Sequence, residues 1–239
     1  MSALFNPAPK SYLKEVLCLA CSRRPDGFCF AGKEVAAGVA NAWIRPINAA
    51  NRNAISDGDR IFADKSLADL LDVVSISMIG ARSVGHHKED HQIEVGRPWK
   101  KVGRATWKDV ELATDKVKGV LWVNEASSYH GTNDKVSEQT ASRQINSLLL
   151  IEPSKLNLVV AMESQYQAQD RRRVRAQFTF NGMGYNFVVT DPFIESKYFA
   201  GADGVFPIAK SRLCVSLPEV IGGSSTKLVA SVITPERAG

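Results

Sequence analysis

Val174-Arg175-Ala176-Gln177-Phe178-Thr179-Phe180, Asn181-Gly182-Met183-Gly184 and Tyr185-Asn186-Phe187-Val188-Val189-Thr190 form the stretch whose reading decides the fold. The first and last segments carry the alternation and β-branched content of strands. Asn-Gly between two such runs is the strongest short hairpin signal, because both residues accept the positive φ of a tight two-residue turn. An antiparallel hairpin is predicted here.

Further strand signals lie on both sides of it. Leu148-Leu149-Leu150-Ile151 and Leu156 to Met162 are strand-like, and Leu213 to Leu217 pairs with Lys227 to Ile233 across a Gly222-Gly223-Ser224-Ser225 connection. Upstream, Val16-Leu17-Cys18-Leu19-Ala20-Cys21 runs into the turn Arg24-Pro25-Asp26-Gly27, and Phe28-Cys29-Phe30-Ala31 returns. Leu71 to Gly80 alternates, with Val74, Ile76 and Met78 on one face. Trp43-Ile44-Arg45-Pro46-Ile47 is a strand that ends or lies on an edge at its proline.

Other segments read differently. Lys33 to Ala42, rich in Ala and Gly, is expected to be a short helix or an irregular crossing. Thr106 to Lys118 has helical spacing behind a Thr106 N-cap, and Ser127 to Arg143 is a polar loop with some helix. No βαβ rhythm appears. The expectation is a mainly-β chain of two small antiparallel barrels packed in tandem with few short helices, over residues 13–122 and 123–239, after a loose leader at 1–12.

The 239 residues suffice for one large or two small domains, and 44% are hydrophobic. No apolar run approaches the ~20 residues that span a bilayer, and Met1 to Lys10 is no signal peptide. A cytoplasmic protein with no membrane partner is expected. The net charge is +5, with eighteen basic against fourteen acidic residues in 1–120 and twelve against eleven in 121–239. Such an excess is compatible with a phosphate-bearing partner and does not require one.

Leu17 to Pro25, Gly27, Cys29, Ala31-Gly32 and Trp43-Ile44-Arg45-Pro46 resemble the opening of the bacterial dual OB-containing domain family. So do His91-Gln92-Ile93-Glu94, Ser147 to Ile151, Arg173 to Phe180 with Gly182 and Tyr185, Thr190-Asp191-Pro192 and Lys227-Leu228-Val229-Ala230. The likeness spans roughly 14 to 233. It implies two OB-type barrels and a nucleic-acid-binding role beside helicases or nucleases in bacterial defence systems. It supplies no catalytic residues.

Arg171-Arg172-Arg173-Val174-Arg175 is the leading phosphate-binding candidate, since guanidinium forks match phosphate geometry. Arg173 and Arg175 are expected on one face of a strand, Arg172 and Val174 on the other. The same cluster also reads as a solvated hairpin end protecting an exposed edge. Arg23, Arg24, Arg45, Lys33 and Arg52 form a second basic group. Phe28, Phe30, Trp43 and Tyr185 are candidate platforms for stacked bases; Trp43 beside Ile44 reads as core.

Cys18-x-x-Cys21 with Cys29 lacks the second ligand pair of a zinc site, so packed thiols and no metal are expected. His86, His87 and His91 are placed in a solvent-exposed loop where, if protonated, they could touch phosphate. Asp191 is read as structural, turning the chain by bonding to backbone. No phosphate loop, nucleophile elbow or zinc-protease motif is present. The resulting expectation is a non-catalytic module without cofactor that binds single-stranded DNA or RNA. A protein-interaction adaptor for a helicase or nuclease is the alternative, and an enzyme assembled around the histidines a third.

Overall fold

Pairing in the N-terminal half starts from one long strand. The computed structural model describes residues 10–165 and 168–239, so residues 1–9 of the expected leader lie outside the described residues, and Tyr12 already opens a strand. The strands are β1 (Tyr12–Arg24), β2 (Gly27–Ala36), β3 (Val39–Ile47), β4 (Asp72–Ala81), β5 (Asp90–Ile93) and β6 (Lys100–Arg104). β1 pairs antiparallel with β2 through Val16 to Arg24 and with β4 through Tyr12 to Leu17. The ring β1-β2-β3-β5-β4-β1 therefore closes, with β3 and β5 as its parallel pair. A register shift between Cys18 and Ala20 lets β1 bend around the ring.

The alternation predicted for β4 holds: Val74, Ile76 and Met78 are buried inward with Phe30, Ile44 and Trp99. Gly32 sits where β1 and β2 approach most closely. A Cβ there would lie 1.9 Å from the Leu17 carbonyl oxygen, so no side chain fits.

Lys33 to Ala42 is neither helix nor irregular crossing. β2 continues to Ala36 and reverses at Ala37-Gly38, with φ of 52° and 75°, into β3. Ladder bonds to β1 on one side and β3 on the other override the weak helical preference of alanine. Pro46 lies beyond the last pairing of β3 with β2, at Ile44, where its missing N–H costs nothing, while its other side runs along β5.

α1 (Trp107–Leu112) starts at Thr106 with a complete capping box to Asp109. It stops at Leu112, well short of the predicted end, because Asp115 is drawn into β8 (Leu148–Ile151). Its backbone N–H donates to the Leu150 carbonyl, and its carboxylate accepts from the Leu150 N–H. Between α1 and β8 lie β7 (Lys135–Ser137) and α2 (Glu138–Ser142).

The C-terminal half repeats the ring. After β8 come β9 (Lys155–Gln165), β10 (Ala168–Phe180), β11 (Met183–Val189), α3 (Pro192–Phe199), β12 (Gly204–Ile208), β13 (Arg212–Ser216), β14 (Ser224–Thr226), β15 (Leu228–Ile233) and α4 (Pro235–Ala238). The sheet order is β12-β9-β10-β11-β15-β13-β8. β8 and β9 are consecutive, interrupted only at Glu152-Pro153-Ser154. Taken together they play the part of β1, so the connectivity matches the first barrel, down to the parallel pair β11–β15. The predicted hairpin is present, with Asn181 and Gly182 at φ of 49° and 79°.

The barrels share a wall. Leu149 and Ile151 of β8 point into the second barrel, while Leu148 and Leu150 pack with Leu17, Leu19 and Ala20 of β1 and with Ala230 and Ile233 of β15. The Ser231 hydroxyl donates to the Leu19 carbonyl across this wall at 2.5 Å.

Candidate functional site

Four arginines on β10 have three different fates. Arg175 is buried, its guanidinium forked onto the Glu163 carboxylate through Nε and, at 3.2 Å, Nη2. Arg172 pairs with Asp203 at 2.8 Å and donates to the Phe199 and Gly201 carbonyls, clasping the chain that leaves α3. Both guanidiniums are thus occupied by contacts within the fold. Arg171 is exposed, and half-buried Arg173 has no hydrogen bond or ion pair among the described residues.

Glu195, on α3, gathers the rest. Asp191 caps this helix by accepting from the Phe193 and Ile194 N–H groups, and also accepts from the Val232 N–H and from Arg237. Asp191 thus has the structural role expected of it, and Pro192 supplies the first helical position. Glu195 is buried and ion-paired with Arg23 from the end of β1. Burial pushes its carboxyl up, while Arg23, Arg173 and Arg171 pull it down. One carboxylate is thus in contact with Arg23 of the first barrel and under the electrostatic pull of Arg171 and Arg173 of the second. No local pattern marks Glu195 as their partner.

Arg23 and Arg24 end β1, and beyond them a cleft of about 720 Å³ opens between the barrels. Its sides are the β1–β2 turn and the β13–β15 connection around Pro218 and Ile221; Cys29, Arg45 and His87 line it from the first barrel. Five cationic side chains (Arg23, Arg24, Arg45, Lys135 and Lys227) line it against two carboxylates, Asp26 and Glu219. Arg24 is 3.6 Å from Glu219 and donates to the Arg52 carbonyl; Arg52, 82% exposed, pairs with Asp26 at 3.3 Å.

Two of the cleft's cations are committed internally. Lys227 is fully buried and donates to the Leu121, Val123 and Asn133 carbonyls. Burial pulls its ammonium down to about 8, against the opposing pull of Asp134 and Glu125. Arg45 is buried, donating to Asp90 at 2.6 Å and to the Ser147 hydroxyl at 3.3 Å. Ser147 in turn donates to Glu89 through its N–H and its hydroxyl, and the second Glu89 oxygen is buried without a partner among the described residues. Burial pushes the Asp90 carboxyl up, against the pull of Arg45.

The remaining candidates are elsewhere. Lys33 is buried against Asp115 at 2.5 Å, and Trp43 donates to the same carboxylate from the shared core. Tyr185 is 3% exposed, stacked on Phe178 with ring centroids 5.2 Å apart. Both side chains are buried within the fold. The cysteines stand as separate thiols, and burial raises all four, Cys21 to about 12.

The histidines overturn their expectation most clearly. His86 and His87 are buried at the junction, each ring within hydrogen-bond reach of the Leu217 carbonyl, at 3.0 and 3.3 Å. Carbonyls only accept, so each Nε2 carries the proton. His91 lies on β5, in contact with the Tyr12 hydroxyl at 2.7 Å.

Burial, Arg45 and His86 lower His87 from 6.5 to about 3, outweighing the Leu217 carbonyl. The unfolded chain then binds a proton that the folded chain refuses between those values. The stability this neutral ring contributes is complete above pH 6.5 and is lost as pH falls toward 3, by up to about 1.4 kcal/mol per unit. Chemical denaturation of wild type and His87→Gln between pH 7 and 4 tests this. The variant loses stability less steeply, and equal slopes would remove His87 as the cause.

A family model described as the dual OB-containing domain matches residues 14–232. No curated protein and no solved structure matches the chain. Among the described residues no helix is long and apolar enough to cross a membrane.

Proposed function

Since the chain belongs to the dual OB-containing domain family, we propose that it is a non-catalytic module that binds single-stranded nucleic acid across the junction of its barrels. The observation that carries this reading is that α3 packs against both β1 and β10, so that Arg23, ion-paired with Glu195, lines the cationic cleft while Arg171 and Arg173 lie within electrostatic reach of the same carboxylate. OB-type barrels hold oligonucleotides on strands two and three and on the loops after strands one and four. The β1–β2 turn of the first barrel and β10 and the β13–β15 connection of the second correspond to these elements. The first and last of these line the cleft, and α3 packs against both β1 and β10.

One carboxylate among three guanidiniums leaves an uncompensated positive charge for phosphates to meet. Arg24 and Lys135 extend it into the cleft. The strand's path follows Arg171, Arg173, Arg23 and Arg24, with Arg45 and Lys227 holding the cleft's shape from below.

Fluorescence anisotropy with labelled single- and double-stranded DNA and RNA tests the reading. Three neutralised phosphates on a single strand give a salt slope of about −2, so affinity falls about twentyfold for a fourfold rise in salt. Absence of binding at low salt would sink it, and a co-purifying protein free of nucleic acid would then favour the adaptor role.

A further inference from the structure

The end of the β1–β2 hairpin has a cavity on each side. Successive strand residues face opposite ways. Ser22 and Cys29 point into the cationic cleft, while Cys21 and Phe28 line a second cavity of about 500 Å³. Its opposite wall is the first turn of α3, with Phe193 and Ser196, and Asp69 also lines it.

This second cavity differs in chemistry. Its cations, Arg60 and Arg237, are matched by Asp69 and Asp191 among the lining residues, so it has no excess charge to attract a phosphate. What it offers is aromatic surface. Phe193 is 52% exposed, although a phenyl ring gains by burial. Each ring is steadied by a guanidinium over it: Arg60 lies 4.2 Å from the Phe28 centroid and Arg237 4.4 Å from that of Phe193. Both arginines are tied down, Arg60 to Asp57 and the Ala68 carbonyl, Arg237 to Asp191 and the Val232 carbonyl. The rings are thus held in place before any ligand arrives.

Asp69 adds an acceptor. Its carboxylate has no hydrogen bond or ion pair among the described residues. A carboxylate suits the edge of a planar ring that presents N–H donors. Guanine presents two adjacent donors on its Watson–Crick edge, N1–H and N2–H, whereas thymine's single N3–H donor is flanked by two carbonyls that a carboxylate repels.

We propose that this cavity takes one nucleobase of the bound strand, guanine in preference to thymine, stacked against Phe193 and Phe28 with its donor edge on Asp69. The inference rests on the nucleic-acid reading above. It deepens that reading through α3 itself, which presents Glu195 to the arginines and Phe193 to the cavity one turn apart or less. A phosphate on Arg23 and a base on Phe193 then belong to one stretch of strand.

The test uses the full chain and three labelled oligo-dT strands: one with a central dG, one all dT, and one with a central abasic site. Wild type binds the dG strand about five- to a hundredfold more tightly than the abasic one, the range for one stacked base. Phe193→Ala lowers dG-strand affinity to the abasic value and leaves abasic binding unchanged. Phe193→Trp keeps the advantage, and Asp69→Asn brings dG and dT strands together. The half-exposed position of Phe193 leaves the fold intact, which thermal melting checks. A dG advantage that survives Phe193→Ala, or none in wild type, overturns the base pocket while phosphate binding stands. No binding to any strand, abasic included, overturns the parent reading as well.

Discussion

Reversing Arg23, Arg171 and Arg173 to glutamate removes binding of single-stranded nucleic acid and leaves a folded protein. Arg171 is exposed, Arg173 has no hydrogen-bonded partner among the described residues, and the Arg23 side chain is half in solvent. Their present role in the fold is to neutralise Glu195, so the reversal also leaves that buried carboxylate without its cations. A companion Glu195→Gln change in the reversed background separates the two effects. Each lost phosphate contact reduces the salt slope by about 0.7, and placing three negative charges on the path adds repulsion. The expected outcome is an affinity loss of at least about a hundredfold at low salt, with the salt slope of the residual binding reduced to about the −0.7 of a single remaining contact at Arg24. Anisotropy reads the loss, and far-UV circular dichroism reads the fold. A folded triple variant that binds like wild type would exclude these arginines from the interface. Including Arg172 and Arg175 would confuse the result, because the first clasps the chain after α3 and the second satisfies buried Glu163.

The largest loss of stability is expected from Arg45→Met. The guanidinium is the cation at the centre of a buried group formed with Asp90, Ser147 and Glu89, drawn from both barrels. Removing it strands the Asp90 carboxylate, already pushed up by burial, beside a Glu89 oxygen that has no partner among the described residues. Breaking one side of a buried pair costs about 3–5 kcal/mol. Replacing Asp90 as well, in Arg45→Met/Asp90→Leu, recovers part of that loss, since a buried pair exchanged for apolar groups is often near neutral. Denaturant unfolding at neutral pH measures both, with Arg52→Met as the exposed control, expected within about 0.5 kcal/mol of wild type. An Arg45→Met protein as stable as the control would show that the charged group contributes nothing net.

The hairpin at 174–190, the alternation of β4 and the Arg24-Pro25-Asp26-Gly27 turn were legible because each is settled by residues close in sequence. The reversal at Ala37-Gly38 was not, since the alanines around it lean toward helix until β1 offers β2 a ladder. α3 had a local signal, Asp191-Pro192 as N-cap and first turn, that a strand-centred reading passed over. Arginine roles were the least legible. Strand period says which residues share a face, but not whether Glu163 or water covers it. Thus Arg173 and Arg175, two apart on β10, differ completely in availability. The histidine pair failed for the same reason: a polar segment looks solvated until the Leu217 carbonyl from a hundred and thirty residues away closes over it.

The wall of β8, apolar on both faces, has a consequence for avidity. Tandem modules joined by a flexible tether gain from their second contact only in proportion to the effective concentration that the tether maintains. Here no tether intervenes. If the proposed binding path holds, a strand that engages Arg23 on one barrel finds Arg173 on the other already fixed relative to it, so no inter-module orientation has to be lost on the second contact. On that reading the joint would act as a fixed-pitch gauge, selecting ligands by the spacing of their phosphates.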